Sequence, residues 1–149
     1  MTMMYIVDTN VLLRFAERRH PLHGVVRASI RKLREDGHSL RATSQNCIEF
    51  WNVATRPVSA NGFGLHPRQA ERLLRLIERL FPVLPDSPAT YSEWRRLVAQ
   101  HEVSGVQVHD ARLVAAMKLH GISRILTLNP ADFLRYKVEA IVATDPSSV

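Results

Sequence analysis

The sequence predicts an α/β domain in which a mainly parallel sheet of five strands is covered by helices on both faces. Three observations carry this. Short apolar runs alternate with longer amphipathic stretches along the chain, and strands separated by helices pair in parallel. The 149 residues suit a single domain, 1–149, at roughly 150 residues per domain. Apolar residues make up 46% and charged residues 23% of the chain, ordinary globular values that exclude disordered and fibrous classes.

The elements follow in order. Met4-Tyr5-Ile6-Val7 is a buried strand. Residues 22 to 36 carry Leu22, Val25, Val26, Ile30 and Leu33 at helical spacing, with Pro21 suited to the first turn and Gly37 as the stop. Leu40 to Thr43 is a second strand. Ser44 caps a helix that runs to about Arg56, where Pro57 follows. Residues 57 to 66 form a loop punctuated by Asn61-Gly62 and Gly64. Pro67 opens a helix with Ala70, Leu73, Leu74 and Ile77 on one face. Phe81 to Leu84 is a short strand, and Ser87-Pro88 starts a helix bearing Tyr91, Trp94, Leu97 and Val98. Asp110 to His120 is the last helix, stopped by Gly121. Ile122 to Thr127 and Val138 to Ala143 complete the five strands.

The charge balance points to a polyanionic partner. Twenty Lys and Arg oppose fourteen Asp and Glu, for a net charge of +6, and seventeen of the twenty cations are Arg. Arginine grips a phosphate with two parallel hydrogen bonds; solvated helix faces are the alternative origin of the same excess. The longest strictly apolar runs hold five residues, Met3 to Val7 and Leu113 to Met117, against about 20 for a membrane-crossing helix. The N-terminus lacks a basic segment followed by an apolar leader. The single cysteine, Cys47, reads as a small core residue and suits a reducing compartment. A cytoplasmic protein with no membrane segment is expected.

In sheets of this kind ligands collect beyond the carboxyl ends of the strands, and four acids fall there or on a helix nearby. Asp8 follows the first strand directly, in Val7-Asp8-Thr9-Asn10, where it also suits a helix N-cap. Glu49 lies on a polar stripe with Gln45, Asn52 and Arg56 along an otherwise apolar helix; a solvated face is the other reading. Asp110 opens its helix, and Asp132 follows the fourth strand in Thr127-Leu128-Asn129-Pro130-Ala131-Asp132-Phe133; each also suits the positive end of a helix dipole. Together the four imply more than capping. Two like charges 4 Å apart repel by about 4 kcal/mol at an effective dielectric near 20, so such a cluster recruits a divalent cation or raises a pKa. Oxygen ligands favour Mg²⁺ or Mn²⁺ over Zn²⁺. Neither a zinc spacing nor a glycine-rich nucleotide loop is present. Carboxylate-held Mg²⁺ beside basic surface fits phosphodiester hydrolysis, with Asp110 suited to orient or deprotonate water.

Val7-Asp8-Thr9-Asn10-Val11-Leu12-Leu13, the helical Glu49, Val108-His109-Asp110-Ala111-Arg112-Leu113-Val114-Ala115-Ala116 and Ile125-Leu126-Thr127-Leu128-Asn129-Pro130-Ala131-Asp132-Phe133, in this order, resemble the motifs of PIN-domain proteins. Trp51-Asn52-Val53-Ala54-Thr55-Arg56-Pro57 with Asn61-Gly62-Phe63-Gly64 resembles a subgroup of VapC-type toxins. The resemblance runs from residue 4 to about 143. It implies a three-layer α/β/α sandwich with a five-stranded parallel sheet. It also implies Mg²⁺- or Mn²⁺-dependent cleavage of single-stranded RNA, a cognate antitoxin, and a homodimer. Asp8, Glu49 and Asp110 carry over as metal-site acids. Asp132 takes the fourth place, because Asn129 stands where many members have Asp. Thr9, Asn10 and Thr127 are polar supports or substrate contacts, and Arg56 is a phosphate contact on the loop to His66.

Two other readings compete with the endoribonuclease toxin. A phosphatase with Asp8 as nucleophile wants a second acid two residues on, where Asn10 stands. A non-catalytic RNA- or protein-binding module has no use for four acids. If those four of the fourteen acids line one pocket, ten remain elsewhere to face twenty cations, giving a basic surface around an anionic hole.

Overall fold

Met4–Val7 forms strand β1, and its apolar run is explained by its place at the middle of the sheet. The structure, a computed structural model, describes residues Met1–Val149. Strands β2 (Ser39–Arg41) and β3 (Arg124–Leu126) flank β1, and β4 (Val142–Thr144) lies outside β3, giving the order β2-β1-β3-β4 with every pair parallel. Side chains of β1 alternate between faces, as the pleat requires. Tyr5 and Val7 enter one core with residues of helices α1 (Thr9–Ala16), α2 (His23–Glu35), α3 (Ser44–Thr55) and α4 (Pro67–Leu80). Ile6 enters the other, with Leu97 of α5 (Thr90–Gln100), five residues of α6 (Val108–Leu119), and Phe133 and Tyr136. A sheet covered on both faces is the three-layer sandwich expected.

The chain steps from β1 to β2 on one side, then returns to place β3 on the other. The carboxyl ends of β1 and β3 therefore face the crevice where the strand order reverses, the favoured ligand position in such sheets. None of the helices is long and apolar enough to cross a membrane.

The sheet has four strands, not the expected five. Phe81 to Leu84 makes one isolated parallel bridge, Ala42 with Val83, supported by Ala42 N–H to the Pro82 carbonyl (3.3 Å) and Leu84 N–H to the Ala42 carbonyl (2.9 Å). Pro82 within the segment and Pro85 just after it have no N–H with which to extend a ladder. The last strand also lies later than expected. Pro130–Glu139 coils as a 3₁₀ helix, Ala140 turns at φ +65°, and pairing begins at Val142.

Helix starts differ by a few residues. Thr43, not Ser44, caps α3: its hydroxyl accepts from Asn46 N–H (3.2 Å), and the Asn46 side-chain oxygen accepts from Thr43 N–H (3.0 Å). Helix α6 begins at Val108, which puts Asp110 in its first turn. The loop after α3 folds tightly back on Arg56. A Cβ at Gly62 would sit 2.0 Å from the Arg56 carbonyl oxygen, so only glycine fits.

Candidate active site

Asp8 is the residue on which β1 becomes α1. Its backbone N–H pairs with the Leu126 carbonyl of β3 (2.9 Å). Its Oδ1 accepts from Thr9 N–H (2.7 Å), so the N-cap reading holds. The cap uses one oxygen only. Oδ2 turns to β3's end and accepts from the Thr127 hydroxyl (2.8 Å). Thr127 is wholly buried, and its oxygen also accepts from Asn129 N–H (3.1 Å). The residues after the two central strands are thus locked together through one carboxylate.

Glu49 joins from α3. Its Oε1 accepts from the Thr9 hydroxyl (3.0 Å), which in turn accepts from the Asn46 side-chain amide (3.1 Å). Asn46 is completely buried and was not anticipated as a site residue. Its signal was the Thr43-Ser44-Gln45-Asn46 pattern, a capping box with amide in place of acid. Asn46 closes the cap with its oxygen and steadies Thr9 with its nitrogen. Gln45, likewise unanticipated, donates to the His109 carbonyl (2.7 Å) and accepts from Arg112 (3.0 Å), tying α3 to the first turn of α6.

Asp110 enters from that first turn and Asp132 from the 3₁₀ segment after β3. Asp110 feels the other acids. Burial pushes the Asp110 carboxyl up to about 7, and Asp8, Asp132 and Glu49 push the same way against Arg135. Asp8 is pushed up to about 6, first by burial and then by Glu49 and Asp132, although hydrogen bonds from Thr127 and Thr9 favour its charged form. None of the seven ion pairs in the molecule involves any of these four acids. Carboxylates from four separate places in the fold share one field with no paired cation among them.

No three acidic, histidine or cysteine side chains converge tightly enough to enclose an ion as they stand. The donor set nevertheless fits one. It is all oxygen, negative, partly buried and short of positive charge, which is the chemistry of a hard divalent cation.

The remaining anticipated residues divide. Asn10 is a brace: its side-chain oxygen accepts from Leu128 N–H (3.1 Å) while its amide reaches Thr127 (3.4 Å). Arg56 lies at the C-terminus of α3 and donates to the Asn61 carbonyl of its own loop (3.3 Å), outside the hydrogen-bond network of Asp8. Ile48 is 69% exposed, so α3 is less buried than its sequence implied. The Cys47 thiol is pushed up to about 11 by burial and Glu78, the opposite of an activated nucleophile.

The PIN domain family model matches residues 5–139. The chain belongs to the PIN-domain family. The same fold is found in the VapBC2 complex of Rickettsia felis bound to a DNA fragment from its promoter. There the match has a TM-score of 0.69 at 11% identity and covers 96% of this chain and 98% of that one. VapBC-1 of nontypeable Haemophilus influenzae matches with a TM-score of 0.71 at 16% identity, over 97% and 99% of the two chains. VapC20 of Mycobacterium tuberculosis, a toxin that cleaves the sarcin-ricin loop, matches with a TM-score of 0.59 at 15% identity, over 81% and 86%. A comparison of the sequence with curated proteins gives no match. Identities this low establish a shared fold. In this PIN-domain chain the acids gather where the sheet's strand order reverses.

Proposed function

We propose that this PIN-domain protein is a Mg²⁺- or Mn²⁺-dependent endoribonuclease that cuts single-stranded regions of RNA and acts as the toxin of a toxin–antitoxin pair. One observation carries the reading: at the switch point burial and neighbouring acids raise the carboxyls of Asp8 and Asp110, and none of Asp8, Glu49, Asp110 and Asp132 forms an ion pair. The likeness to chains of VapBC complexes and to VapC20 supports it. It also supports a cognate antitoxin as partner and, on the family resemblance, a homodimer of single-domain chains in the cytoplasm.

Asp8, Glu49, Asp110 and Asp132 would hold the ion. The chemistry supplied by a bound divalent ion is positive charge against the phosphodiester and acidified water. The residues of the chain do the rest. Thr127 and Thr9 each donate to a carboxylate oxygen, which fixes the direction in which Asp8 and Glu49 present their free lone pairs. Asn10 holds the loop after β3 against the start of α1. Asp110, with its carboxyl raised to about 7, is poised to take a proton from water near neutral pH. Arg56, on its loop, is the proposed contact for a phosphate further along the strand.

The test is cleavage of total RNA by the purified protein. Activity should need Mn²⁺ or Mg²⁺, stop with EDTA, and disappear in Asp8→Asn while the folded state persists. Undiminished cleavage by Asp8→Asn would sink the site assignment. Failure to bind either ion in a calorimetric titration would favour a non-catalytic binding module.

A further inference from the structure

A concave pocket of about 440 Å³ opens beside the first turn of α6, lined by Pro88, Tyr91, Trp94, Val108, His109 and Arg112 among others. Its volume lies in the range of small-ligand sites, about 300–1,000 Å³. Nothing said so far gives it a role.

Its chemistry is uneven in an informative way. Tyr91 is 65% exposed, and its ring lies 5.9 Å from that of Trp94 at 34° between planes. Trp94 is not free to rotate: its indole N–H donates to the Val108 carbonyl (2.8 Å). A rigid aromatic wall is thereby built from α5 onto α6. On the α6 side stand Arg112 and the exposed His109. Arg112 uses one N–H on Gln45 (3.0 Å), and its other N–H groups are uncommitted. His109 immediately precedes Asp110, and its carbonyl is held by Gln45 (2.7 Å). The pocket and the acidic site are therefore two ends of one braced turn.

Aromatic rings with an adjacent guanidinium are what a single-stranded nucleotide needs: a face for the base and a donor for its phosphate. An apolar peptide would fill the aromatic wall but leave Arg112 without a partner. We infer that this pocket is a base-holding subsite that stacks one nucleobase of single-stranded RNA on Tyr91 and Trp94, beside the bond to be cut. The inference rests on the ribonuclease reading and adds to it a determinant of where the strand is cut.

The experiment measures binding in EDTA, so that no RNA is cut. The probe is a short fluorescein-labelled single-stranded RNA, together with versions carrying one abasic nucleotide at successive positions. Tyr91→Ala should weaken binding about 5- to 150-fold, the range for one stacked base, and Tyr91→Phe should restore it. One abasic position should weaken the parent protein and leave Tyr91→Ala unaffected. With Mn²⁺ present, Tyr91→Ala should also lose preference among cleavage sites. Equal binding of intact and abasic RNA by parent and Tyr91→Ala would overturn the subsite, and is the result expected if the pocket instead receives a protein side chain. The two readings fail separately. RNA bound through Tyr91 without metal-dependent cleavage leaves the subsite standing and removes the nuclease; cleavage indifferent to Tyr91 does the reverse.

Discussion

Two acids of this protein, Asp8 and Glu139, are shielded almost equally from contact with water and behave in opposite ways. Asp8 is 9% exposed, and so is the Glu139 side chain. Glu139 lies at the end of the 3₁₀ segment, nearer the rim of the molecule, and is surrounded by cations. One oxygen accepts from Arg96 (3.0 Å) and pairs with Lys118 (3.0 Å), and the other lies 2.9 Å from His101 Nε2. Hydrogen bonds from Arg96 and then His101 hold its carboxyl down at about 2. Asp8 lies deeper, has hydroxyl and amide partners only, and faces other acids, so its carboxyl rises to about 6. The first arrangement ties α5, α6 and the 3₁₀ segment together with the acid neutralised by its cations. The second is maintained against repulsion by hydrogen bonds from Thr9 and Thr127. A cluster that the fold holds together without neutralising is where a cation from solution belongs.

The sharpest way to break the contrast is to remove one charge from the unneutralised cluster. Asp8→Asn keeps a good N-cap and removes the carboxylate proposed to hold the ion. RNA cleavage should fall by about 1,000-fold or more, because weakening the hold on a divalent ion forfeits several kcal/mol of charge stabilisation. The metal-free variant should melt at a higher temperature than the parent at pH 8, because a repelled, buried charge is gone. A melting temperature lowered by several degrees would show that Asp8 is a structural acid of the Glu139 kind.

A smaller effect is expected one layer out. Thr127→Val keeps the shape but removes the donor to Asp8 Oδ2 and the acceptor for Asn129 N–H. Mn²⁺ affinity, read by calorimetry, should fall about 10- to 100-fold, the usual cost of losing a group that orients a ligand. Thr127→Ser should recover most of it. Equal losses in both variants would mean that packing, not the hydrogen bond, sets the carboxylate.

The two acids also predict opposite pH trends. Asp8 and Asp110 have folded pKa values above their usual 3.8, so between pH 3.8 and 7 the folded state binds more protons than the unfolded one. Their contribution to stability therefore falls as pH rises through that window. Glu139 is lowered from 4.5, so its contribution is complete above pH 4.5 and lost as pH drops toward 2. Melting in EDTA should show the Asp8→Asn, Asp110→Asn double variant losing the stability gain that the parent makes between pH 7.5 and 5. Stabilisation by added Mn²⁺ should run the other way and grow with pH, because ion and proton compete. A parallel pH profile for parent and double variant would remove the raised pKa values from the account.

The sequence made the strand-end residues legible because Asp8 and Thr127 directly follow the apolar runs that become β1 and β3. It also showed Glu49, through a stripe on an apolar helix. The positioning residues were less visible. Asn46 reads as a cap, and only the fold shows that its amide continues to Thr9. Gln45 sits on the expected stripe, yet its partners His109 and Arg112 are more than sixty residues away, a separation that no local pattern encodes. The missing fifth strand has a local cause, Pro82 and Pro85, that was on view but outweighed by the apolar residues between them. The late start of β4 was hidden because Val138 looks like a strand residue, although it is 80% exposed on the 3₁₀ segment. Glu139 gave no sign at all. Its cations lie on α5, α6 and the turn after α5, and they meet only once those elements pack.

The smallest expected effect tests the satisfied cluster itself. Glu139→Gln leaves Arg96, His101 and Lys118 with one another and with Glu93, which pairs with Arg96 (2.6 Å). The cluster is at the rim, where solvent screens the released cations, so the cost should be about 1 kcal/mol rather than the larger penalty of a deeply buried pair. For a domain of this length that is a melting temperature lower by about 2–4 °C. RNA cleavage should be unchanged, since Glu139 touches neither the acids at the strand ends nor the pocket beside them. The loss should shrink as pH falls below 4.5 and vanish only below about pH 2, where Glu139 is protonated in the folded state too. A variant with normal stability but altered cleavage would erase the distinction between the two clusters, and would mean that the field of Glu139 reaches the site through Lys118 and α6.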